Sequence, residues 1–365
     1  TYGENEHTVT LTDAVDETTG VLTVTGLTDG KTATQTITNK YETGKLTISK
    51  TVVSDAPSDK GKEFTFTLTL KNADNTALAN GTYGAVTVSG GSATIKLHDG
   101  DSVTLIDLPV GTIWSVTEAE VDGFTTTLTS EGGTVTAADR KAEGTITTTA
   151  ATVAYTNTRK TSDLTISKAL VSEVTADASA TYTFTIELSE AITGEFAITG
   201  TTEKATFTNG TATVSITGAG SKTIEGLPTG VTYEIAEANV VNLTPDAAVK
   251  TGTLSENATV TFTNTRETGS LTISKKIVSS NAADANEKFH FTVKLTGVTA
   301  GTYTYKVDGT DTSFTVGADG TLTPAIEIEG SNSKTISGLP AGVAYSVTES
   351  EKDQNNFVTT SVGET

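Results

Sequence analysis

The sequence predicts an all-β protein made of tandem β-sandwich domains. Three observations carry this prediction: a strand-forming composition, short runs in which apolar and polar residues alternate, and a long internal repeat. Only 19% of the 365 residues are charged and 35% are hydrophobic. Threonine is the most prominent polar residue, and its β-branched side chain suits strands. Strong helical patterns are hard to find, so strands should build the whole fold.

Charge and composition exclude several classes of function. The net charge is −20, which repels nucleic-acid phosphate and anionic lipid headgroups. No apolar run is long enough to span a bilayer. The chain has no cysteine, which excludes disulfides and zinc–thiolate sites, and its three histidines (His7, His98, His290) lie far apart. We therefore expect no cofactor, no metal site, no nucleic-acid partner and no membrane insertion in this segment.

The internal repeat sets the domain organisation. Leu46-Thr-Ile-Ser-Lys50 recurs as Leu164-Thr-Ile-Ser-Lys168 and as Leu271-Thr-Ile-Ser-Lys275, at offsets of 118 and 107 residues. A unit of this length has the size of an immunoglobulin-like sandwich of about seven strands. In each unit an alternating strand, a Leu-Pro-x-Gly turn and a strand ending in glutamate follow in the same order, and two units close with Thr-Asn-Thr-Arg.

These landmarks divide the chain into four parts. We expect the last third of a truncated repeat over residues 1–42, whole repeats over 43–160 and 161–267, and a repeat without its last strand over 268–365. The links contain no Pro-rich or Gly/Ser-rich spacer, which favours an elongated array in which each repeat has its neighbours as partners. The chain begins at Thr1 and contains no methionine, which indicates a processed product or a fragment.

Strand parity places three polar residues of each repeat on the apolar face. Residues two apart in a strand share a face. Lys50 therefore lies on the face of Leu46 and Ile48, and Glu118 lies on the face of Trp114. The closing strand adds an asparagine in the same way. The full set is Lys50, Glu118 and Asn157 in the first whole repeat, Lys168, Glu237 and Asn264 in the second, Lys275 and Glu349 in the third, and Asn39 in the partial repeat.

An unpaired buried charge is costly, so the lysine, glutamate and asparagine should meet. One interpretation is a buried Lys–Glu ion pair with the asparagine as a hydrogen-bond partner. The other is covalent: burial favours a neutral, nucleophilic lysine and a protonated glutamate. Attack of that lysine on the asparagine amide would expel ammonia and leave an isopeptide bond. Parity alone leaves both interpretations open, and buried ion pairs are the commoner feature.

The ordered motifs resemble the Cna-B-type (prealbumin-like, inverse immunoglobulin) domains of Gram-positive surface adhesins and pilins. The resemblance rests on Leu-Thr-Ile-Ser-Lys, the Gly-Leu-Pro-x-Gly turn, Val-Thr-Glu with its following aromatic, and the closing Thr-Asn-Thr. It implies an autocatalytic Lys–Asn bond between the first and last strands, assisted by the glutamate. The implied sets are Lys50–Asn157 with Glu118 and Lys168–Asn264 with Glu237, whereas Lys275 with Glu349, and Asn39, need partners outside the sequence.

Two departures from the family pattern bear on this assignment. The second repeat reads Ile235-Ala-Glu237 and lacks the glycine–aromatic pair that follows Glu118 in the first. The third repeat has Lys275-Lys276, so the choice of its nucleophile rests on strand parity. Aspartates beside glycines, at 99–101, 308–311 and 319–320, are typical first of turns rather than of calcium sites.

The resemblance implies a structural role. We expect the stalk of a Gram-positive cell-surface adhesin, attached to the cell wall through a missing segment, that holds a binding tip away from the cell. The self-made cross-link is the only chemistry, so the chain is not an enzyme for external substrates. Two alternatives stay open: a polymerising pilin or fibre subunit, and repeats that themselves bind a host or matrix ligand.

Overall fold

The computed structural model describes residues 41–354 and 356–363. This part of the chain is built from 29 strands and four short 3-10 helices, so the predicted all-β fold of tandem sandwich domains is confirmed. No helix within it is long and apolar enough to cross a membrane. Asn39 and most of the predicted partial repeat lie outside the described residues. Below, repeats 1, 2 and 3 denote residues 43–160, 161–267 and 268–365.

Repeat 1 is a sandwich of two main sheets. Its strands are β1 (Thr43–Val53), β2 (Phe64–Lys71), β3 (Gly81–Tyr83), β4 (Val86–Val88), β5 (Ser92–Leu97), β6 (Ser102–Pro109), β7 (Ile113–Glu118), β8 (Phe124–Glu131), β9 (Gly133–Thr136), β10 (Lys141–Thr145) and β11 (Ala151–Arg159). Two 3-10 helices span Pro57–Gly61 and Ala137–Asp139. The sheet orders are β6-β1-β11-β8 and β5-β2-β7-β10-β9, with β3 and β4 forming a separate hairpin.

The first and last strands of repeat 1 lie side by side and parallel. In their register Lys50 is opposite Tyr155, and Val52 is opposite Asn157. Lys50 and Asn157 are thus two rungs apart along the pair and project from the same face. Parallel strands need a long connection, and here the rest of the repeat supplies it.

Repeat 2 has the same plan. Its strands are β12 (Thr161–Val171), β13 (Thr181–Leu188), β14 (Gly194–Ala197), β15 (Lys204–Phe207), β16 (Thr211–Thr217), β17 (Gly220–Pro228), β18 (Thr232–Glu237), β19 (Leu243–Pro245), β20 (Val249–Thr253) and β21 (Ala258–Arg266), with a 3-10 helix over Thr175–Ser179. The sheets run β17-β12-β21-β19 and β16-β13-β18-β20, and β12 is parallel to β21. A single residue separates β11 from β12, which agrees with the predicted short link.

Repeat 3 departs from this plan where its closing strand would lie. Its strands are β22 (Thr268–Ser274), β23 (Lys288–Leu295), β24 (Gly301–Val307), β25 (Thr310–Val316), β26 (Leu322–Thr323), β27 (Ile326–Glu329), β28 (Ser333–Pro340) and β29 (Tyr345–Glu349), with a 3-10 helix over Ala282–Asn286. The sheets run β22-β28-β24-β25-β26 and β27-β23-β29. Among the described residues, no strand lies parallel to β22 and none pairs with the second edge of β29.

Two expectations about the strands need correction. The apolar face predicted for Tyr345 and Val347 in β29 is partly exposed, because no described strand covers it. The estimate of about seven strands per repeat was too low, since the described parts contain eleven, ten and eight. The excess comes from short hairpins in the connections, such as β3–β4 and β14–β15, whose few residues give only a weak alternating pattern.

Each repeat has its own hydrophobic core between its sheets. The alternating runs produce it directly: every second residue of β2, from Phe64 to Leu70, is buried. Trp114 is fully buried in repeat 1 and requires unusual space. Gly133 and Gly144 face each other across β9 and β10, and a Cβ on either would come within 3.0 Å of the indole. The glycines therefore make room for the tryptophan.

Candidate cross-linking site

Lys50, Glu118 and Asn157 are all buried in the core of repeat 1. The exposed fractions of these residues are 1%, 0% and 0%. Lys50 Nζ lies 3.2 Å from Glu118 Oε1, so the lysine of one sheet reaches the glutamate of the facing sheet. The parallel register of β1 and β11 brings Asn157 to the same interior face. The geometry therefore places a lysine, a glutamate and an asparagine amide in the interior of one sandwich.

Hydrogen bonding in this cluster is incomplete. Neither side-chain polar atom of Asn157 has a hydrogen-bond partner, and Glu118 Oε1 meets Lys50 only as an ion pair. Lys50 Nζ also donates to the Thr51 carbonyl at 3.3 Å. A buried polar group without a partner costs about 1–3 kcal/mol, so the noncovalent cluster is an expensive arrangement.

Burial of Lys50 disfavours its positive charge, while neighbouring groups hold the amine in place. Burial lowers the pKa of the Lys50 ammonium below its usual value of 10.5, while the negative charge of nearby Glu118 acts in the opposite direction. The Phe64 ring lies beneath the amine, with Nζ 4.2 Å from the ring centroid. A lysine with a lowered pKa releases its proton more easily, and the free amine is nucleophilic.

Glu118 is held from a second direction by Thr126, a residue that the sequence reasoning missed. The Thr126 hydroxyl donates to Glu118 Oε2 at 3.0 Å, and Thr126 is opposite Asn157 in the pairing of β8 with β11. The hydroxyl thus fixes one carboxyl oxygen while the other faces the lysine. Only the antiparallel register of β8 with β11 could have revealed this, because Thr126 is one of three consecutive threonines that look alike in sequence.

Repeat 2 gathers the equivalent residues with a different hydrogen-bond pattern. Lys168 Nζ lies 2.8 Å from Glu237 Oε1, and the Asn264 amide donates to the same oxygen at 2.9 Å. Lys168 and Asn264 are 2% and 1% exposed. Burial lowers the pKa of Lys168. Pro245, opposite Asn264, occupies the position that Thr126 holds in repeat 1, so this glutamate has no hydroxyl partner there.

In repeat 3 the lysine and glutamate meet without an asparagine among the described residues. Lys275 Nζ lies 2.7 Å from Glu349 Oε1, and their side chains are 13% and 8% exposed. Lys275 also lies over the Phe289 ring, at 4.0 Å from its centroid. Lys276 is exposed, so the structure places the first lysine of the doublet at the site. The aromatic ring beneath the lysine recurs in all three repeats, with Tyr182 in repeat 2.

The aspartates weighed as calcium ligands fill turn positions. Asp99 accepts from the Val52 amide at 2.6 Å and pairs with Lys60, and Asp308 accepts from the Thr335 amide at 2.9 Å. Asp319 accepts from Thr321 two residues later, as a turn aspartate does. Within residues 41–354 and 356–363, no three His, Asp or Glu side chains group as a metal site would require.

Fold and site together define a class: serial β-sandwich domains, each with a buried Lys–Glu pair that links its first strand to the glutamate-bearing strand of the facing sheet. Comparison with known proteins adds the family. The family model described as "Domain of unknown function (DUF7601)" matches residues 44–159, 162–266 and 269–365, and the chain belongs to this family.

The resemblance to Gram-positive surface adhesins is confirmed by a known relative. The chain is 43% identical over 86 residues to the pilus tip adhesin Cpa of Streptococcus pyogenes. That match covers 22% of this chain and only 12% of the adhesin. Among solved structures, a pilus-presented adhesin (Cpa) is 29% identical over 32% of this chain and 28% of its own, with a TM-score of 0.29. The major pilin T-13 of Streptococcus pyogenes is 16% identical over 62% of this chain and 97% of its own, with a TM-score of 0.37.

Proposed function

We propose that this chain is a structural stalk of a Gram-positive cell-surface adhesin, extracellular, whose repeats lock themselves with Lys–Asn isopeptide bonds. The similarity to a pilus tip adhesin supports a pilus or adhesin role in structure rather than in catalysis on outside substrates. The observation that carries the cross-link is the buried Lys50–Glu118 pair together with Asn157 on the same interior face of the paired first and last strands. The same arrangement recurs with Lys168, Glu237 and Asn264.

The reaction needs only these side chains. The Lys50 ammonium gives a proton to Glu118, because a neutral pair costs less than an ion pair in a dry interior. The free amine attacks Asn157 Cγ, and the protonated glutamate stabilises the oxygen on which negative charge develops. The intermediate collapses when the Cγ–Nδ2 bond breaks: Glu118 gives its proton to the departing nitrogen and takes up the proton that Nζ loses on becoming an amide N–H, so the glutamate ends protonated. One Cγ–Nζ bond forms, one ammonia leaves, and no oxidant is required.

The cross-linked product has fewer unpartnered polar groups than the noncovalent cluster. In the noncovalent state both polar atoms of Asn157 are buried without partners. Cross-linking expels the Nδ2 nitrogen as ammonia and turns the amide and the amine into one secondary amide, which has fewer polar groups to satisfy. The energetic cost of the cluster before reaction therefore favours the reaction itself.

The intact mass of the denatured chain tests the proposal. We expect a mass below that of the sequence by two ammonias, one for each of repeats 1 and 2. Glu118→Gln should restore one ammonia and leave the bond of repeat 2 intact. Glu120→Gln, two residues away on an exposed side chain, is the matched control and should change nothing. A mass equal to that of the sequence would mean that the Lys–Glu–Asn set is only a buried polar cluster.

A further inference from the structure

The last residue of each complete closing strand is an arginine that contacts two repeats at once. Arg159 ends β11, and its Nη1 lies 3.5 Å from Asp59 Oδ1 in its own repeat. Its Nη2 donates to the Thr229 carbonyl of repeat 2 at 2.6 Å. The guanidinium also lies over the Phe124 ring, at 5.0 Å from the centroid. One side chain thus ties the end of repeat 1 to the beginning of repeat 2.

The second junction repeats this geometry with different residues. Arg266 ends β21, and its Nη1 donates to Asp177 Oδ1 at 3.1 Å in its own repeat. Its Nε donates to the Ala341 carbonyl of repeat 3 at 3.0 Å. Thr229 and Ala341 are the same position of the recurring turn, the residue between proline and glycine of Leu-Pro-x-Gly. Both junctions therefore have the same contact: an arginine binds an aspartate of its own repeat and a turn carbonyl of the next repeat.

Each of the two aspartates that contact these arginines also accepts a hydrogen bond from a serine hydroxyl. The Ser54 hydroxyl donates to Asp59 Oδ2 at 2.5 Å, and the Ser172 hydroxyl donates to Asp177 Oδ2 at the same distance. Both aspartates lie in the 3-10 helix after the first strand and are buried. A buried carboxylate requires a cation, and the planar guanidinium can bind it while donating to a second acceptor. This pair is therefore unlike an exposed ion pair, which contributes little.

The turn of the following repeat has a glycine at the position where a side chain would crowd the arginine. Gly230 and Gly342 have positive φ angles of 82° and 74°. A Cβ on either would come within 3.1 Å of the Nη2 atom of the preceding arginine. The same turn also binds the link itself, since the Thr229 amide donates to the Lys160 carbonyl at 2.9 Å. The turn thus receives both the backbone and the arginine of the repeat before it.

The turn at the start of repeat 1 provides a natural comparison. The Val110 amide donates to the Glu42 carbonyl at 3.0 Å, so the backbone part of the contact is kept. The residue before Glu42, where the arginine would be, is Tyr41, which is 75% exposed. The backbone contact therefore occurs without an arginine, and the side-chain contact belongs to the two later junctions.

We propose that Arg159 and Arg266 are clamps that fix the angle between consecutive repeats, so that the stalk is stiff at these junctions. The clamp acts between repeats, whereas the Lys–Asn bond acts within one. The arginine clamp therefore acts whether or not the Lys–Asn cross-link forms.

The two clamped junctions differ in what else supports them. At the second junction the Thr299 amide donates to the Glu173 carbonyl at 2.8 Å, and the buried Tyr305 hydroxyl donates to the Glu173 carboxylate at 2.6 Å. A β-bridge joins Val174 to Val298 beside these contacts. At the first junction the additional side-chain contacts are two exposed hydrogen bonds, from Ser58 to Glu190 and from the Thr229 hydroxyl to the Lys160 carbonyl. Loss of the arginine should therefore loosen the first junction more than the second.

The absence of cysteine from the sequence allows a direct test. Single cysteines at the exposed strand positions Thr87, Thr206 and Thr315, one in each repeat, carry spin labels in pairs. Double electron–electron resonance then gives the distribution of distances across each junction. Arg159→Ala should broaden the 87–206 distribution and leave the 206–315 distribution unchanged. Arg266→Ala should broaden the 206–315 distribution by a smaller factor.

Two controls separate a loosened junction from a damaged repeat. The double variant Asp59→Asn with Arg159→Gln removes both charges, so that no buried charge is left unpaired, and it should broaden the distribution as Arg159→Ala does. Lys204→Ala removes an exposed ion pair within repeat 2 and should leave both distributions unchanged. An unchanged width of the 87–206 distribution, both in Arg159→Ala and in the double variant, would overturn the clamp. Equal broadening at both junctions would overturn the unequal support assigned to them.

Discussion

Lys50 depends on a balance between burial, which opposes its charge, and Glu118, which favours it. Lys50 Nζ and Glu118 Oε1 are 3.2 Å apart, so in the proposed reaction the position of the carboxylate decides whether it can take the lysine proton. Thr126 fixes the far oxygen of that carboxylate. It acts through Glu118 and is therefore a positioning residue rather than a reacting one.

Replacement of Thr126 by valine should slow cross-linking of repeat 1. The change removes the hydrogen bond to Glu118 and keeps the β-branched shape, so the carboxylate loses one of its two constraints. We expect freshly purified chain to contain a fraction that is one ammonia heavier, which decreases on incubation. Thr125→Val, on the exposed face of the same strand, is the control. A complete cross-link in the first Thr126→Val sample would show that the hydroxyl has no part in the reaction.

His290 in repeat 3 should make the stability of that repeat depend on pH. Its ring meets Glu351 at 2.8 Å and Glu327 at 3.3 Å, and these contacts raise the pKa of the imidazole above 6.5. The stabilisation is present in full below pH 6.5, where the unfolded chain is also protonated. It is lost as the pH rises through the raised pKa, because the folded ring then gives up the charge that its partners stabilise.

We therefore expect the thermal midpoint of repeat 3 to fall as the pH rises from 6.5 through that pKa. Calorimetry of the full chain measures it, and the transition is assigned by its shift in Phe291→Ala, which truncates a buried side chain. His290→Gln should remove this pH dependence, whereas His98→Gln in repeat 1 should retain it. A midpoint that is flat in pH with His290 present would contradict the assignment.

At the scale of strands, β9 and β10 illustrate how a sheet adapts to one large side chain. Trp114 projects from β7 into the space that Gly133 and Gly144 leave open. Neither glycine has a positive φ angle, so the requirement is for space and not for an unusual backbone.

Gly144→Ala should therefore destabilise repeat 1 by roughly 1–3 kcal/mol, the usual cost of overpacking a core. The added Cβ would lie 2.8 Å from the Trp114 ring and 2.7 Å from the Gly132 carbonyl. Denaturant unfolding, monitored by the fluorescence of this single tryptophan, measures the change. Gly61→Ala, where the new Cβ would meet nothing within 4 Å, is the matched substitution. Equal stability of the two variants would contradict this role for the glycine pair.

Strand patterns account for much of the fold and for part of the site. Period-two alternation was enough to place Lys50, Glu118 and Asn157 in the interior, because parity is a local property of each strand. It could not identify Thr126, whose role depends on the register of β8 with β11. It also could not foresee the contact of Arg159 with Thr229, since nothing local to either residue specifies how one repeat meets the next.

For the whole molecule, the parallel first and last strands define how a repeat bears load. Tension enters at the beginning of β1 and leaves at the end of β11, so the two strands are pulled past each other. Their ladder of hydrogen bonds is then loaded together rather than one bond at a time. A Lys50–Asn157 bond would carry the same tension through a covalent link and leave the enclosed loop, about 100 residues, unloaded. In the chain-entropy account such a link also adds roughly 4–5 kcal/mol to stability.

Pulling single chains by their ends should expose this difference directly. With both bonds formed, repeats 1 and 2 should yield no long extension, because only residues outside the cross-linked loops can lengthen. Glu118→Ala should add one unfolding event, with a length gain on the order of 350 Å for a loop of about 100 residues. Adding Glu237→Ala should produce a second event of similar size, since the loop closed by Lys168 and Asn264 is similar. Long extensions from repeats 1 and 2 in the chain without substitutions would mean that tension passes through the hydrogen-bonded sheet. The mechanical strength of the stalk would then come from the shear resistance of the paired strands alone.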